Sequence, residues 1–225
     1  MTPATLAPWR KSERTRLIAA REAVDAPTLE AWRRAIDAHL ERGFPGLAKA
    51  RIAFCWPVRN EYDARHLARR LRASGAVTAL PVVLAPKTPL AFREWYPGVE
   101  LADGPLGIPY PVGSREIVPQ AVLLPMIGWD AQGYRLGYGG GFFDRTLAAL
   151  AAKPLVIGIA YELARIATIH PQAWDIPVDY LVTERGIYRR DAGELAFLGA
   201  PEPQGAAGAL ASPVCTADER LVRGD

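Results

Sequence analysis

A single three-layer α/β domain, with a largely parallel central sheet and helices on both faces, is the fold this sequence predicts. Three observations carry it. Half of the 225 residues are hydrophobic, which suits one compact domain with a proper core. Leu155 to Ala160 is a continuous apolar run, the composition expected of a parallel strand buried on both faces. Ala121 to Leu124 reads as another buried strand, and it passes through a glycine-rich loop into a helix opened by Phe142, Phe143 and Asp144. Strand, glycine loop and helix in that order is how an α/β protein holds phosphate. Glycines adopt positive φ and bring bare N–H groups to a ligand, and the helix start behind them adds the positive end of its dipole.

Taken in order, Trp9 to Val24 predicts a helix with apolar Leu17, Ile18 and Ala20 beside a basic face of Arg10, Lys11, Arg14 and Arg21. Thr28 is expected to cap a second helix, with Trp32, Ile36 and Leu40 along one side and Gly43 at its end. Ile52 to Cys55 is a short strand stopped by Trp56-Pro57, after which Asn60-Glu61 is expected to start a helix packed through Leu67 and Leu71. Val77 to Leu84 is a strand that Pro81 marks as an edge or a bulge. Leu90 to Trp95 is another, with Phe92 and Trp95 on opposite faces, and Asp103 to Ser114 is a proline- and glycine-rich connection. Beyond the glycine loop, Glu162 to Ile169 is short and irregular and Tyr180 to Thr183 is a last strand. Ile187 to Arg189 and Leu195 to Leu198 are candidates to pair as a hairpin across Asp191-Ala192-Gly193. The expected domain spans 1–198. Residues 199–225 are rich in Pro, Gly, Ala and Ser with little to bury, the composition of a disordered tail.

Composition excludes several classes. A net charge of +3 is too mild and too dispersed for a nucleic-acid binder, but it suits an anionic small substrate. Cys55 and Cys215 do not make a disulfide framework. No apolar run is long enough to span a bilayer, and Met1 to Ile18 is too charged for a signal peptide, so a cytoplasmic protein without a membrane partner is expected. His39, His66 and His170 have no metal-ligand spacing, and there is no nucleophile elbow.

The glycine loop fits neither common phosphate motif. It lacks the Gly-Lys-Ser/Thr of a Walker loop, and counting from Gly137 the dinucleotide pattern needs a glycine where Phe142 stands. Its cations are Arg135 before the glycines and Arg145 after them. Glu61 follows the carboxyl end of a strand, where open α/β sheets bind ligands, although a carboxylate at a helix start is also ordinary dipole chemistry.

Arg135-Leu136-Gly137-Tyr138-Gly139-Gly140-Gly141-Phe142-Phe143-Asp144 resembles the signature of the 5-formyltetrahydrofolate cyclo-ligases, also called methenyltetrahydrofolate synthetases. Three other blocks match in the order that family has them: the basic N-terminal helix, Asn60-Glu61, and Trp174 to Glu184. The resemblance implies a CoA transferase-like layered fold. It also implies conversion of 5-formyltetrahydrofolate to 5,10-methenyltetrahydrofolate with ATP and magnesium. Family positions then assign Arg10 or Lys11, Arg14, Arg135 and the segment Leu136, Gly137, Tyr138, Gly139, Gly140, Gly141, Phe142 and Phe143 to the nucleotide. They assign Trp56, Glu61, Tyr138 and Phe142 to the reduced folate, with Glu61 catalytic, and Asp144 and Asp175 to Mg2+. The chain departs from the family at Phe142 and Phe143, often tyrosines there, at Gly140, where some members have Lys, and at Tyr138, where some have Arg. It would therefore lean on backbone N–H groups and the N-terminal helix for phosphate. A monomer is expected. Two other readings stand beside this one: a different enzyme of similar architecture, such as a sugar-phosphate isomerase or CoA transferase, and a non-catalytic nucleotide or folate binder.

Overall fold

The computed structural model describes residues 2–201 of the chain. Most of the expected tail, and Cys215 with it, lie outside the described residues. An eight-stranded sheet forms the centre. In chain order its strands are β1 (Arg51–Phe54), β2 (Val77–Val82), β3 (Ala91–Trp95), β6 (Ala121–Pro125), β9 (Leu155–Ile159), β10 (Tyr180–Thr183), β11 (Gly186–Asp191) and β12 (Glu194–Gly199). Their spatial order is β12-β11-β10-β9-β6-β1-β2-β3. The five central strands run parallel, while β3 pairs antiparallel with β2 at one edge and, at the other, β11 pairs antiparallel with β10 and β12 antiparallel with β11. Two small hairpins stand apart from it, β4 (Leu101–Asp103) with β5 (Pro109–Pro111), and β7 (Gly128–Trp129) with β8 (Arg135–Leu136).

The two-residue alternation of strand side chains divides the core into two layers. Ile52 and Phe54 of β1, Leu123 of β6, Ile157 of β9 and Tyr180 and Val182 of β10 face one side. That side is covered by α2 (Ala26–Gly43) through Ile36 and Leu40, and by α3 (Arg65–Ala73) through Leu67 and Leu71. Ala53, Val122, Leu124, Val156 and Leu181 face the other side, where they meet Leu147 of α4 (Phe142–Ala149), Trp129 and Val178. Helices thus lie on both faces, as expected, but the second carries one short helix and is completed by hairpin and loop. The first helix, α1 (Pro3–Glu22), packs Leu17 and Ile18 on Ile127, Leu136 and Ile169 and so lies over the β7–β8 hairpin.

The structure corrects several local expectations. The helix expected from Trp9 begins at Pro3. The cap of α2 is Asp25, whose side chain accepts from the Thr28 N–H at 2.8 Å. Pro27 is tolerated in the first turn because no N–H is needed there. Glu61 does not start a helix: Arg59 and Asn60 have φ of 50° and 57°, a left-handed pair that no helix continues through, and α3 begins at Arg65. Pro81 sits in an internal strand, not an edge or a bulge. It is tolerated because the β1–β2 ladder ends at Ala53 and Ala79, so Pro81 pairs only with β3. The 103–114 connection is largely the β4–β5 hairpin. Tyr180–Thr183 is β10, and the hairpin expected after it does not stand apart but extends the main sheet as β11 and β12. No helix among the described residues is long and apolar enough to cross a membrane.

Candidate active site

The parallel strands β1, β2 and β6 end beside one cavity of about 1150 Å³. Cys55 and Trp56 enter it from the end of β1, Leu80 and Pro81 from β2, and Leu124 and Pro125 from β6. The β4–β5 hairpin walls one side through Ile108, Pro109 and Tyr110, and the glycine loop walls another. Every residue assigned to the site from sequence lines this cavity except Lys11. Lys11 is exposed: one step along α1 turns a side chain by about 100°, which takes it off the face that carries Arg10 and Arg14.

The glycine loop owes its shape to two left-handed positions, Gly139 at φ 93° and Gly141 at φ 62°, the latter opening α4. Arg14 donates its Nε to the Gly137 carbonyl at 2.6 Å, tying α1 to the loop. Burial and then the neighbouring Arg10 push the Arg14 pKa down. Arg145 donates to the Gly140 carbonyl and lies over the Phe142 ring, 5.5 Å from its centroid. Neither Arg14 nor Arg145 has a carboxylate partner among the described residues, and the buried Nε of Arg145 has no hydrogen-bond partner at all. The first-turn amides of α4 lack intrahelical acceptors, as at any helix start. Two uncompensated guanidinium groups beside open amides make this end of the cavity suited to an anion.

Glu61 reaches the same cavity from the opposite wall. Its Oε1 accepts from the Tyr138 hydroxyl of the glycine loop at 2.8 Å, and its Oε2 accepts from the Val58 N–H at 3.3 Å. Arg21 of α1 donates its Nε to the Arg59 carbonyl at 2.8 Å and its Nη2 to the Tyr138 hydroxyl at 3.3 Å. That Nη2 also lies 3.6 Å from Glu61 Oε1. Burial raises the Glu61 pKa, while Arg21, Tyr138 and the Val58 N–H each oppose the rise. Burial and the facing Glu61 carboxylate also raise the Tyr138 phenol. Arg21 belongs to the basic face of α1 that the sequence predicts, and only the fold shows what it meets. The signal was there, since Arg10, Arg14 and Arg21 share one helix stripe.

Asp144 and Asp175 are each claimed by an arginine assigned to the nucleotide. Arg135 Nη2 lies 2.6 Å from Asp144 Oδ1 and Arg10 Nη2 lies 2.7 Å from Asp175 Oδ2. Asp144 Oδ1 also accepts from the Ile176 N–H at 3.0 Å, and Asp175 Oδ2 from the Gln172 N–H at 2.8 Å. The Ile176 amide follows Asp175 directly, so Asp144 is held against the backbone segment that carries Asp175, although 31 positions separate the two aspartates in sequence. No group of three or more His, Cys, Asp or Glu able to hold a metal occurs among the described residues. Aromatic surface completes the cavity. Trp56 lies under the Arg65 guanidinium, 4.4 Å from ring centroid, while Phe142 and Phe143 are half-buried and Trp174 is largely exposed at the wall. Leu136 lines the cavity and also packs against Leu17 and Ile18 of α1.

Residues 7–184 match the model of the 5-formyltetrahydrofolate cyclo-ligase family. The 5-formyltetrahydrofolate cyclo-ligase of Escherichia coli K12 is 32% identical over 136 residues, which cover 57% of this chain and 74% of that protein. The Haemophilus influenzae protein of the same name is 30% identical over 140 residues, covering 58% and 74%. Among solved structures, the 5,10-methenyltetrahydrofolate synthetase of Aquifex aeolicus superposes with a TM-score of 0.70 at 26% identity, over 84% of this chain and 97% of that one.

Proposed function

The chain belongs to the 5-formyltetrahydrofolate cyclo-ligase family of enzymes, and from that premise we propose that it converts 5-formyltetrahydrofolate to 5,10-methenyltetrahydrofolate with ATP as co-substrate and magnesium as the required ion. The observation that carries the reading is the meeting, in one cavity, of a buried carboxylate at Glu61 with a glycine loop flanked by the unpaired cations Arg14 and Arg145. One end suits a pterin with its N–H donors and the other a polyphosphate.

The formyl group of the substrate is an unreactive amide. Phosphoryl transfer from ATP to the formyl oxygen makes that oxygen a leaving group. The second folate nitrogen then attacks the formyl carbon, and phosphate departs as the ring closes. Phosphoryl transfer asks the protein mainly for alignment and charge stabilisation. The Gly139 to Gly141 backbone and the start of α4 would orient the phosphates, with Arg14 and Arg145 neutralising them. Glu61 would accept hydrogen bonds from the pterin and stabilise the positive charge that develops on the formyl nitrogen. Trp56, Tyr138 and Phe142 would pack against the ring system and exclude water.

Asp144 and Asp175 fit a magnesium site in their chemistry. Both carboxylates line the cavity, and among the described residues each accepts its hydrogen bonds through one oxygen, Oδ1 of Asp144 and Oδ2 of Asp175. Magnesium is commonly held by one or two carboxylates together with phosphate oxygens and water. Bound there, it would neutralise charge on the transferred phosphoryl group. The test is to follow methenyltetrahydrofolate absorbance after mixing the protein with 5-formyltetrahydrofolate, ATP and magnesium. Product in the complete mixture, and none when ATP is omitted, is expected. Absence of product in the complete mixture would reject the reading.

A further inference from the structure

We infer that Arg21, in the last turn of α1, is a positioning residue for Glu61, holding that carboxylate anionic and aimed into the cavity. The inference rests on the reading of Glu61 as the folate-side carboxylate. Arg21 is 4% exposed, unusual for an arginine without a bidentate carboxylate partner. Its Nε is fixed by the Arg59 carbonyl at 2.8 Å, in the turn that delivers Glu61. That leaves Nη2 against Tyr138 Oη at 3.3 Å and Glu61 Oε1 at 3.6 Å. One rigid fork therefore sets three things together: the backbone before Glu61, the carboxylate itself and the glycine-loop phenol. The other groups facing Glu61 are Tyr138 from the glycine loop, Cys55 at the end of β1 and Tyr161 after β9. Each is neutral near pH 7: burial and then the Glu61 charge raise Cys55 and Tyr138, while burial raises Tyr161 against the opposing Arg21, with Glu184, Glu61 and Asp63 adding to the rise. None of them can replace the charge that Arg21 supplies. A buried carboxylate without its cation takes up a proton, and a protonated Glu61 cannot stabilise a cationic centre.

The test reads folate binding without nucleotide, so that titration of ATP does not enter. The Kd of 5-formyltetrahydrofolate is measured by calorimetry across pH for the full-length protein and for Arg21→Gln, Arg21→Lys and Glu61→Gln. In wild type, binding weakens on the acid side as Glu61 is protonated. Arg21→Gln is expected to move that acid limb to higher pH by about one unit or more, the effect of removing an opposite charge within this distance. Arg21→Lys is expected to move it the same way by less, since one ammonium cannot reach Arg59 O and Glu61 together. Glu61→Gln should abolish the limb. An acid limb in Arg21→Gln that superposes on wild type, while Glu61→Gln loses it, overturns the inference and leaves Glu61 in its role. A limb that survives in Glu61→Gln rejects the reading of Glu61 and the inference with it. If Arg21→Gln does not fold, Arg21→Lys decides, and a wild-type limb there overturns the proposal.

Discussion

The guanidinium of Arg10 lies 2.7 Å from the carboxylate of Asp175, although 165 positions separate them in the chain. With Arg135 and Asp144 at 2.6 Å, it makes two cation–anion pairs at the wall of one cavity. Two of the arginines assigned to the nucleotide, Arg10 and Arg135, are thus paired with the two aspartates assigned to the metal, while Arg14 is not. On the proposed reading, a polyphosphate with its divalent ion would offer each half of these pairs a new partner, so binding would exchange one set of charge contacts for another instead of desolvating bare charges.

Asp144→Asn and Asp175→Asn test that exchange. As metal ligands both must be anionic, because a hard cation gains much less from an amide oxygen. Each variant is expected to need far more magnesium for half-maximal rate at saturating ATP and folate. Asp144→Asn has a structural cost as well, since Arg135 is 7% exposed at its side chain and loses its counter-charge while keeping an acceptor. That loss is worth about 1–3 kcal/mol of unfolding free energy, readable by urea denaturation. An unchanged magnesium requirement in both variants would leave these aspartates as partners of the arginines and nothing more.

Glu61→Gln is expected to lower folate turnover on the order of a hundredfold or more with the KM for ATP near wild type. Its effect on stability has a defined sign. Burial raises the Glu61 carboxyl, so the folded protein keeps a proton that the unfolded chain has released. Glu61 leaves stability unaffected below its unfolded pKa of about 4.3, and stability falls as pH rises from there through the raised folded value. Glu61→Gln lacks this loss. The difference in unfolding free energy should therefore move in favour of the variant as pH rises from about 4.3 through the raised folded value. A difference that moves the other way would mean that Arg21 and Tyr138 outweigh burial.

The layers of this fold were legible because strand periodicity is local. Phe92 and Trp95 were assigned to opposite faces of one strand and lie in different core clusters. Glycine spacing likewise marked Gly137 to Gly141 as a loop opening α4. Glu61 was assigned to the cavity side correctly but to a helix start wrongly. Two non-glycine residues in left-handed conformation, Arg59 and Asn60, leave no compositional trace. The Arg10–Asp175 and Arg135–Asp144 pairs were illegible for another reason. Each residue had been given a ligand of its own, and only the tertiary fold shows that they meet each other.

Gly139→Ala probes the loop without touching a charged group. At φ 93° an alanine is strained, by about 1–3 kcal/mol, and its Cβ would come 3.2 Å from Arg14 Nη2. The loop would relieve that strain by moving away from α1, weakening the Arg14 contact to Gly137. The expected result is a several-fold higher KM for ATP with folate Kd close to wild type. A variant with normal ATP kinetics would detach the loop conformation from nucleotide binding.

Tyr62→Phe probes how the loop carrying Glu61 is anchored. Tyr62 donates its hydroxyl to Asp37 Oδ1 at 2.5 Å, and the other oxygen of Asp37 accepts from Arg33 at 2.5 Å and from Arg70 at 2.8 Å. Asp37 is 5% exposed and is thus a buried hub joining α2, α3 and the residue next to Glu61. Burial and the Asp37 charge push the Tyr62 phenol well up, so the hydroxyl stays a donor at any working pH. Tyr62→Phe removes one hydrogen bond to a charged acceptor and leaves both arginines in place, a cost of about 1.5–3 kcal/mol. Asp37→Ala strands two arginines and a phenol, and breaking a buried pair from one side costs about 3–5 kcal/mol. Urea denaturation of the two variants should preserve that order. If the anchor also aims Glu61, Tyr62→Phe should raise the KM for 5-formyltetrahydrofolate while the KM for ATP stays put. Equal rises in both constants would show instead that the whole cavity loosens when the hub is weakened.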